Sequence, residues 1–93
     1  MIVNMSSELD ELRKKIDAAD RKLIDSLTQR MKLVEAVGAY KRANKMDLVD
    51  FERLQNILST RTEWAHNARL SESFVRELFE LIHKESVSVE KKA

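Results

Sequence analysis

Apolar residues recur every three or four positions through the first half of the chain, which is the spacing of one face of an α-helix. No proline interrupts this pattern, and it predicts one helix over about 7–44. At 1.5 Å per residue such a helix is roughly 55 Å long, more than a compact monomer of this size would comfortably bury. The apolar positions are Leu9, Leu12, Ile16, Leu23, Leu27, Val34 and Val37.

Two shorter helices are predicted in the second half of the chain. The apolar pattern is lost over residues 45–49, which indicates a loop, and Asp47 or Asp50 can then cap a helix over about 50–68. Ser71 can cap a third helix over about 71–90. We therefore expect an all-α fold with one long and two shorter helices, forming a single domain over residues 1–93.

Composition excludes several classes of function. The 17 basic residues are nearly balanced by 16 acidic ones, which argues against a nucleic-acid partner. The absence of cysteine excludes disulfides and thiolate metal ligands, and the two histidines, His66 and His83, show no metal-ligand pattern, so we expect no metal. No apolar run approaches membrane-spanning length, so we expect a cytoplasmic protein without a membrane partner.

Two basic residues, Arg30 and Lys41, occupy positions where the long helix should be apolar. They are eleven residues apart, almost a whole number of turns, so they project from one face. For these two alone, the simpler interpretation is that they reach solvent or pair with glutamates. The alternative is an anionic ligand, and Arg53, at the start of the second helix, could fold back toward Lys41 and add to such a site.

A further arginine, Arg13, is roughly 25 Å from Arg30 along the helix and cannot join this cluster within one chain. An antiparallel helix from a second copy, crossing near Leu23 and Ile24, would bring the partner's Arg13 alongside it. The same two-fold symmetry would create two equivalent sites.

Ser86 and Glu90 are four residues apart and continue one face of the third helix. They could contribute to a site, or Glu90 could be a solvated residue in a frayed terminus. The single glycine, Gly38, could allow close helix packing or leave room for a bound molecule.

Several segments together resemble the helical, type II class of chorismate mutases. The resemblance covers about Leu9 to Glu90. It is carried by the run from Leu12 to Asp20, by Leu23 to Leu27 with Arg30-Met31, by Val37-Gly38-Ala39-Tyr40-Lys41, by Asp50-Phe51-Glu52-Arg53, and by Phe79 to Ile82 with Ser86.

The resemblance implies an isomerase that converts chorismate to prephenate in aromatic amino-acid biosynthesis and needs no cofactor. It implies an intertwined antiparallel homodimer with shared active sites. Lys41, Glu90 and Arg30 would be catalytic. The substrate-binding residues would be Arg13 from the second copy, Arg30, Lys41, Asp50, Arg53 and Ser86.

Two positions depart from the best-known bacterial member of that class. Leu54 stands where that protein has a glutamate contacting the ring hydroxyl, and Glu90 stands where it has a glutamine that donates to the ether oxygen. Some members have glutamate at the latter position. The loss at Leu54 keeps an isochorismate pyruvate-lyase on the same scaffold as an alternative, and a non-catalytic helical regulatory dimer is another.

Overall fold

The computed structural model describes residues 5–93, with side chains from Ser7 onward, and consists of three helices. They are α1 (Met5–Ala43), α2 (Phe51–Asn67) and α3 (Glu72–Lys92). No strand occurs within these described residues. The predicted all-α fold with one long and two shorter helices is therefore confirmed, and each predicted helix boundary is within two residues of the observed one.

Side chains cap the starts of the two shorter helices. Asp50, not Asp47, is the N-cap of α2, where its Oδ1 accepts a hydrogen bond from the backbone N–H of Arg53 at 2.9 Å. Ser71 caps α3 in the same way, because its Oγ accepts from the N–H of Phe74 at 3.3 Å. These two caps fix where each helix begins.

The ends of α1 and α2 are closed by a residue in the left-handed region, although neither is a glycine. Lys45 has a φ of 53°, and the N–H of Met46 donates to the carbonyl of Lys41 at 2.8 Å. Arg69 has a φ of 59°, and the N–H of Leu70 donates to the carbonyl of Ala65 at 2.9 Å. Both are Schellman-type ends, which satisfy helix carbonyls and turn the chain sharply.

The chain divides into two compact units, of which the first ends at Lys32. Over residues 7–32 every residue is exposed except Arg30 and Met31, which are half-buried. The apolar stripe predicted from the sequence is thus exposed along this part of α1: Leu9, Leu12, Ile16, Leu23, Ile24 and Leu27.

The second unit runs from Leu33 to Ala93 and contains the buried residues. Its apolar core lies between α2 and α3 and consists of Ile57, Leu58, Ala65 and Val75. The guanidinium of Arg61 lies 4.5 Å from the centre of the Trp64 ring and 5.7 Å from that of Phe79. This cation–π contact joins the two helices beside the core.

Candidate active site

The second unit holds an ion pair between half-buried Lys41 and buried Glu90. Lys41 is in the last turn of α1, and its Nζ donates to Glu90 Oε1 at 3.0 Å and to the carbonyl oxygen of Leu48 at 2.9 Å. The two charged side chains are only 15% and 9% exposed. The interpretation of Lys41 as a solvated lysine is therefore wrong, whereas its pairing with a glutamate is confirmed.

The ammonium of Lys41 retains one donor. A lysine ammonium carries three N–H groups, and Leu48 and Glu90 accept two of them. No described residue accepts the third. Burying such a pair costs desolvation free energy that the attraction between the charges offsets only with good geometry. The remaining N–H can donate to an oxygen atom of a small molecule, which makes this pair a candidate catalytic centre.

Gly38 allows α1 and α3 to approach closely at this pair. A Cβ at position 38 would lie 2.8 Å from the carbonyl oxygen of Glu90 and 2.9 Å from its Cα. Those atoms are backbone and cannot rotate away, so only glycine fits without a shift of one helix. Of the two interpretations of Gly38, close helix packing is the one the structure favours, and it sets the distance from Lys41 to Glu90.

Ser86 lies one helical turn before Glu90, and both residues are buried. Because α3 continues to Lys92, the alternative of a frayed terminus with a solvated Glu90 is wrong. The Oγ of Ser86 donates to the carbonyl of Ile82 at 2.8 Å.

Asp50 and Arg53 lie at the start of α2, and both are exposed. The carboxylate of Asp50 is used as the helix cap, and Nη1 of Arg53 donates to Oδ1 of Asn56 at 2.7 Å. Their predicted roles in binding a substrate stay predictions.

The two remaining predicted site residues, Arg13 and Arg30, belong to the first unit. Arg13 is exposed, with Nη1 4.0 Å from Oδ1 of Asp10, and Arg30 is half-buried. The roles of both in holding carboxylates also stay predictions.

The carbonyl of Leu48 is a part of the site that the sequence did not reveal. It reaches Lys41 because the chain reverses at Lys45, and a left-handed lysine has no signal comparable to that of glycine.

Two further findings concern the described residues. They contain no group of three His, Asp or Glu side chains that could hold a metal ion. None of the three helices, over that same part of the chain, has an apolar stretch sufficient to cross a lipid bilayer. The predicted cytoplasmic location stays a prediction.

The described residues thus combine an all-helical fold with a half-buried ammonium paired to a buried carboxyl group. The chain belongs to the chorismate mutase type II family, which matches residues 12–91. This confirms the resemblance seen in the sequence, on which the prediction of an isomerase is based.

Three relatives illustrate the range of this similarity. The 4-amino-4-deoxychorismate mutase of Streptomyces pristinaespiralis is 28% identical over 82 residues, covering 88% of this chain and 64% of the relative. The protein with that name from Streptomyces venezuelae is 29% identical over 84 residues, covering 90% and 82%. The bifunctional chorismate mutase/prephenate dehydratase of Buchnera aphidicola is 30% identical over 86 residues, covering 92% and 22%. The chain thus spans less than two thirds of the first relative's length and less than a quarter of the third's.

Proposed function

We propose that this protein is a chorismate mutase that rearranges chorismate to prephenate in aromatic amino-acid biosynthesis. The observation that carries the proposal is the half-buried Lys41 ammonium, which is held by two acceptors, retains one N–H, and lies 3.0 Å from Oε1 of Glu90. Membership of the chorismate mutase type II family supports it.

The reaction explains why such a site suffices. Chorismate rearranges within one molecule: its ether C–O bond breaks as a C–C bond forms, so no nucleophile or cofactor is required. The enzyme must hold the dianion in its compact reactive shape and stabilise the negative charge that develops on the ether oxygen. Both tasks are electrostatic, and cationic donors perform them.

Each site residue then has a role in the proposal. Lys41 donates its remaining N–H to the ether oxygen, and Glu90, when protonated, donates to the same oxygen. Arg30 and Arg13 from the second copy bind carboxylates, for which the planar guanidinium is suited. Arg53, Asp50 and Ser86 complete the substrate-binding set.

The proposal includes a homodimer. Over residues 7–32 the apolar side chains of α1 are exposed, and Leu23 and Ile24 are each 61% exposed. An apolar stripe of this length on a folded chain is typical of a surface that another copy covers. A second α1 running antiparallel supplies a matching apolar stripe and brings in Arg13. Sedimentation of the purified protein measures this directly, and a stable monomer would contradict it.

Leu54 gives specific grounds for two alternatives. It is half-buried and apolar where the best-known bacterial member has a glutamate facing the ring hydroxyl. One alternative is isochorismate pyruvate-lyase activity, and the other is rearrangement of 4-amino-4-deoxychorismate, the compound named in two relatives. A non-catalytic regulatory dimer is the alternative outside enzymes.

One set of incubations separates these functions. The purified protein is mixed with chorismate, isochorismate or 4-amino-4-deoxychorismate, and the products are identified by mass spectrometry. We expect prephenate from chorismate at the highest kcat/KM. Formation of pyruvate and salicylate would identify an isochorismate pyruvate-lyase. Faster turnover of 4-amino-4-deoxychorismate would identify a mutase for that substrate. A folded dimer that turns over none of the three compounds would support the non-catalytic regulatory role.

A further inference from the structure

His83 lies almost directly above Glu90 on α3. Seven residues separate them, which places the two side chains within roughly 20° around the helix axis and roughly 10 Å apart along it. Ser86 and Val87 lie between them on the same side. Glu90 and Ser86 are buried, and His83 is half-buried. The spacing therefore places His83 on the side of α3 that carries Glu90.

This face lacks a free donor at Ser86. A serine hydroxyl has one proton, and that of Ser86 is donated to the carbonyl of Ile82 at 2.8 Å. To donate to an anion, the hydroxyl of Ser86 would have to break its hydrogen bond to Ile82. An imidazole N–H on the same face has no such bond to break.

The imidazole of His83 is available to donate a hydrogen bond to an anion. No side chain or backbone group of the described residues makes a hydrogen bond or ion pair with it. His66, the other histidine, differs in both respects: it is 73% exposed, and its Nδ1 lies 3.5 Å from Oε2 of Glu72. A half-buried imidazole N–H that no protein group accepts can donate to a ligand.

The surroundings of His83 suit an anionic ring. It lines a groove of about 990 Å³ together with Phe51 and Leu54 from α2 and Val87 from α3. These apolar side chains offer a surface for a ring. The charged side chains along the groove are two cations and one anion: Lys84, Lys91 and Glu85.

We propose that His83 is a substrate-binding residue whose imidazole N–H donates a hydrogen bond to the ring carboxylate of the substrate. The ring then lies over Val87, and the ether oxygen is held by Lys41 and Glu90 at the other end. This inference depends on the proposed function, because it takes the ligand to be a cyclic dicarboxylate with an ether oxygen. It adds His83 to the substrate-binding residues named above.

The test compares His83→Leu, which removes the donor, with His83→Gln, which keeps an N–H near the position of Nε2. His66→Leu is the matched control on an exposed histidine. We expect His83→Leu to raise KM for chorismate about tenfold, the typical effect of losing a hydrogen bond to a charged group. Because the ring carboxylate does not react, kcat should stay within about twofold of wild type. His83→Gln should restore KM to within about threefold, and His66→Leu should change neither constant.

A second measurement identifies the group that His83 contacts. The ring-carboxylate methyl ester of chorismate cannot accept a charge-assisted bond, so its KM should be nearly the same in wild type and in His83→Leu. If His83→Leu does not fold, His83→Ala carries the same comparison.

The outcomes distinguish this inference from the proposed function. Wild-type protein that consumes chorismate, together with an unchanged KM in His83→Leu, overturns the role of His83 alone. A fall in kcat at constant KM overturns it as well, and so does an equal penalty on the ester. Wild-type protein that consumes no chorismate overturns the proposed function and this inference together.

Discussion

The two units of this chain use charged and apolar residues in opposite ways. In the first, the described ion pairs are local and exposed: Arg13 with Asp10 and Lys14 with Glu11, each three residues apart. Such pairs contribute at most a few tenths of a kcal/mol. In the second, Lys41 and Glu90 are 49 residues apart in sequence, and their side chains are largely shielded from solvent. Holding these two charges away from water costs desolvation free energy, which exposed ion pairs do not lose.

Apolar residues show the same contrast. Leu23 and Ile24 are each 61% exposed in the first unit, whereas Ile57 and Leu58 are 3% and 4% exposed in the second. The second unit therefore has a core of its own and contains the Lys41–Glu90 ion pair. The first presents a helical apolar surface, which is why we assign to it the role of dimer interface and of donor of Arg13.

The largest expected effect comes from Lys41→Ala. Removing a donor aimed at developing negative charge should lower kcat about 10²–10³-fold. It also leaves the Glu90 carboxyl buried without its cation, so we expect a loss of roughly 3–5 kcal/mol in the free energy of unfolding. Steady-state kinetics and urea denaturation measure the two effects.

Lys32→Ala is the control for Lys41→Ala, since it removes an exposed lysine at the end of the first unit. It should leave both kcat and the free energy of unfolding nearly unchanged. The double variant Lys41→Met with Glu90→Gln should recover stability but not turnover. Wild-type turnover by Lys41→Ala would remove this residue from the mechanism.

Gly38→Ala should reverse the usual effect of this substitution. In an exposed helix interior, alanine is more stable than glycine by about 1 kcal/mol. Here the added Cβ would meet backbone atoms of Glu90 at 2.8 and 2.9 Å, so α1 or α3 must shift. We expect a loss of roughly 1–3 kcal/mol in the free energy of unfolding and a fall in turnover.

Ala39→Gly, at the exposed neighbouring position, is the control for Gly38→Ala and should lose about 1 kcal/mol from helix propensity alone. A Gly38→Ala variant more stable than wild type would show that the close approach of α1 and α3 is not required.

A smaller effect is expected from Glu90→Gln. A carboxylate has no proton to donate, whereas an amide of nearly the same shape always carries N–H donors. The variant should therefore keep a donor for the ether oxygen, and we expect its kcat, measured by steady-state kinetics, to be at least that of wild type. Glu8→Gln, on the exposed first turn of α1, should leave kcat unchanged. A loss of turnover in Glu90→Gln would contradict the role of residue 90 as a donor.

Helical periodicity was enough to predict the three helices, because the apolar spacing of α1 and the caps at Asp50 and Ser71 are local signals. Lys41 and Glu90 were identified as members of one site from a polar residue in an apolar stripe and from the family resemblance. The sequence could not show that they contact each other directly, since that contact depends on the packing of α1 against α3 at Gly38.

Hydrogen bonds made by side chains account for what was missed. The carbonyl of Leu48 accepts from Lys41 because of a left-handed turn at Lys45, a residue type with no preference for that conformation. The hydrogen bond from Ser86 to Ile82, within one turn of α3, depends on a side-chain rotamer that no sequence pattern specifies. The exposed stripe of the first unit was predicted, but which surface covers it is a property of the assembly.

The central claim is that each site combines Lys41 and Glu90 of one copy with Arg13 of the other, and subunit mixing tests it most directly. Arg13→Ala and Lys41→Ala chains, each nearly inactive alone, are unfolded together and refolded in equal amounts. Half of the dimers are then mixed, and each mixed dimer has one intact site, so about one quarter of wild-type activity should return. Mixing Lys41→Ala with Glu90→Ala, whose defects lie in the same part of the site, should restore none. Activity in the first mixture no higher than the average of its two inactive components would contradict the shared site.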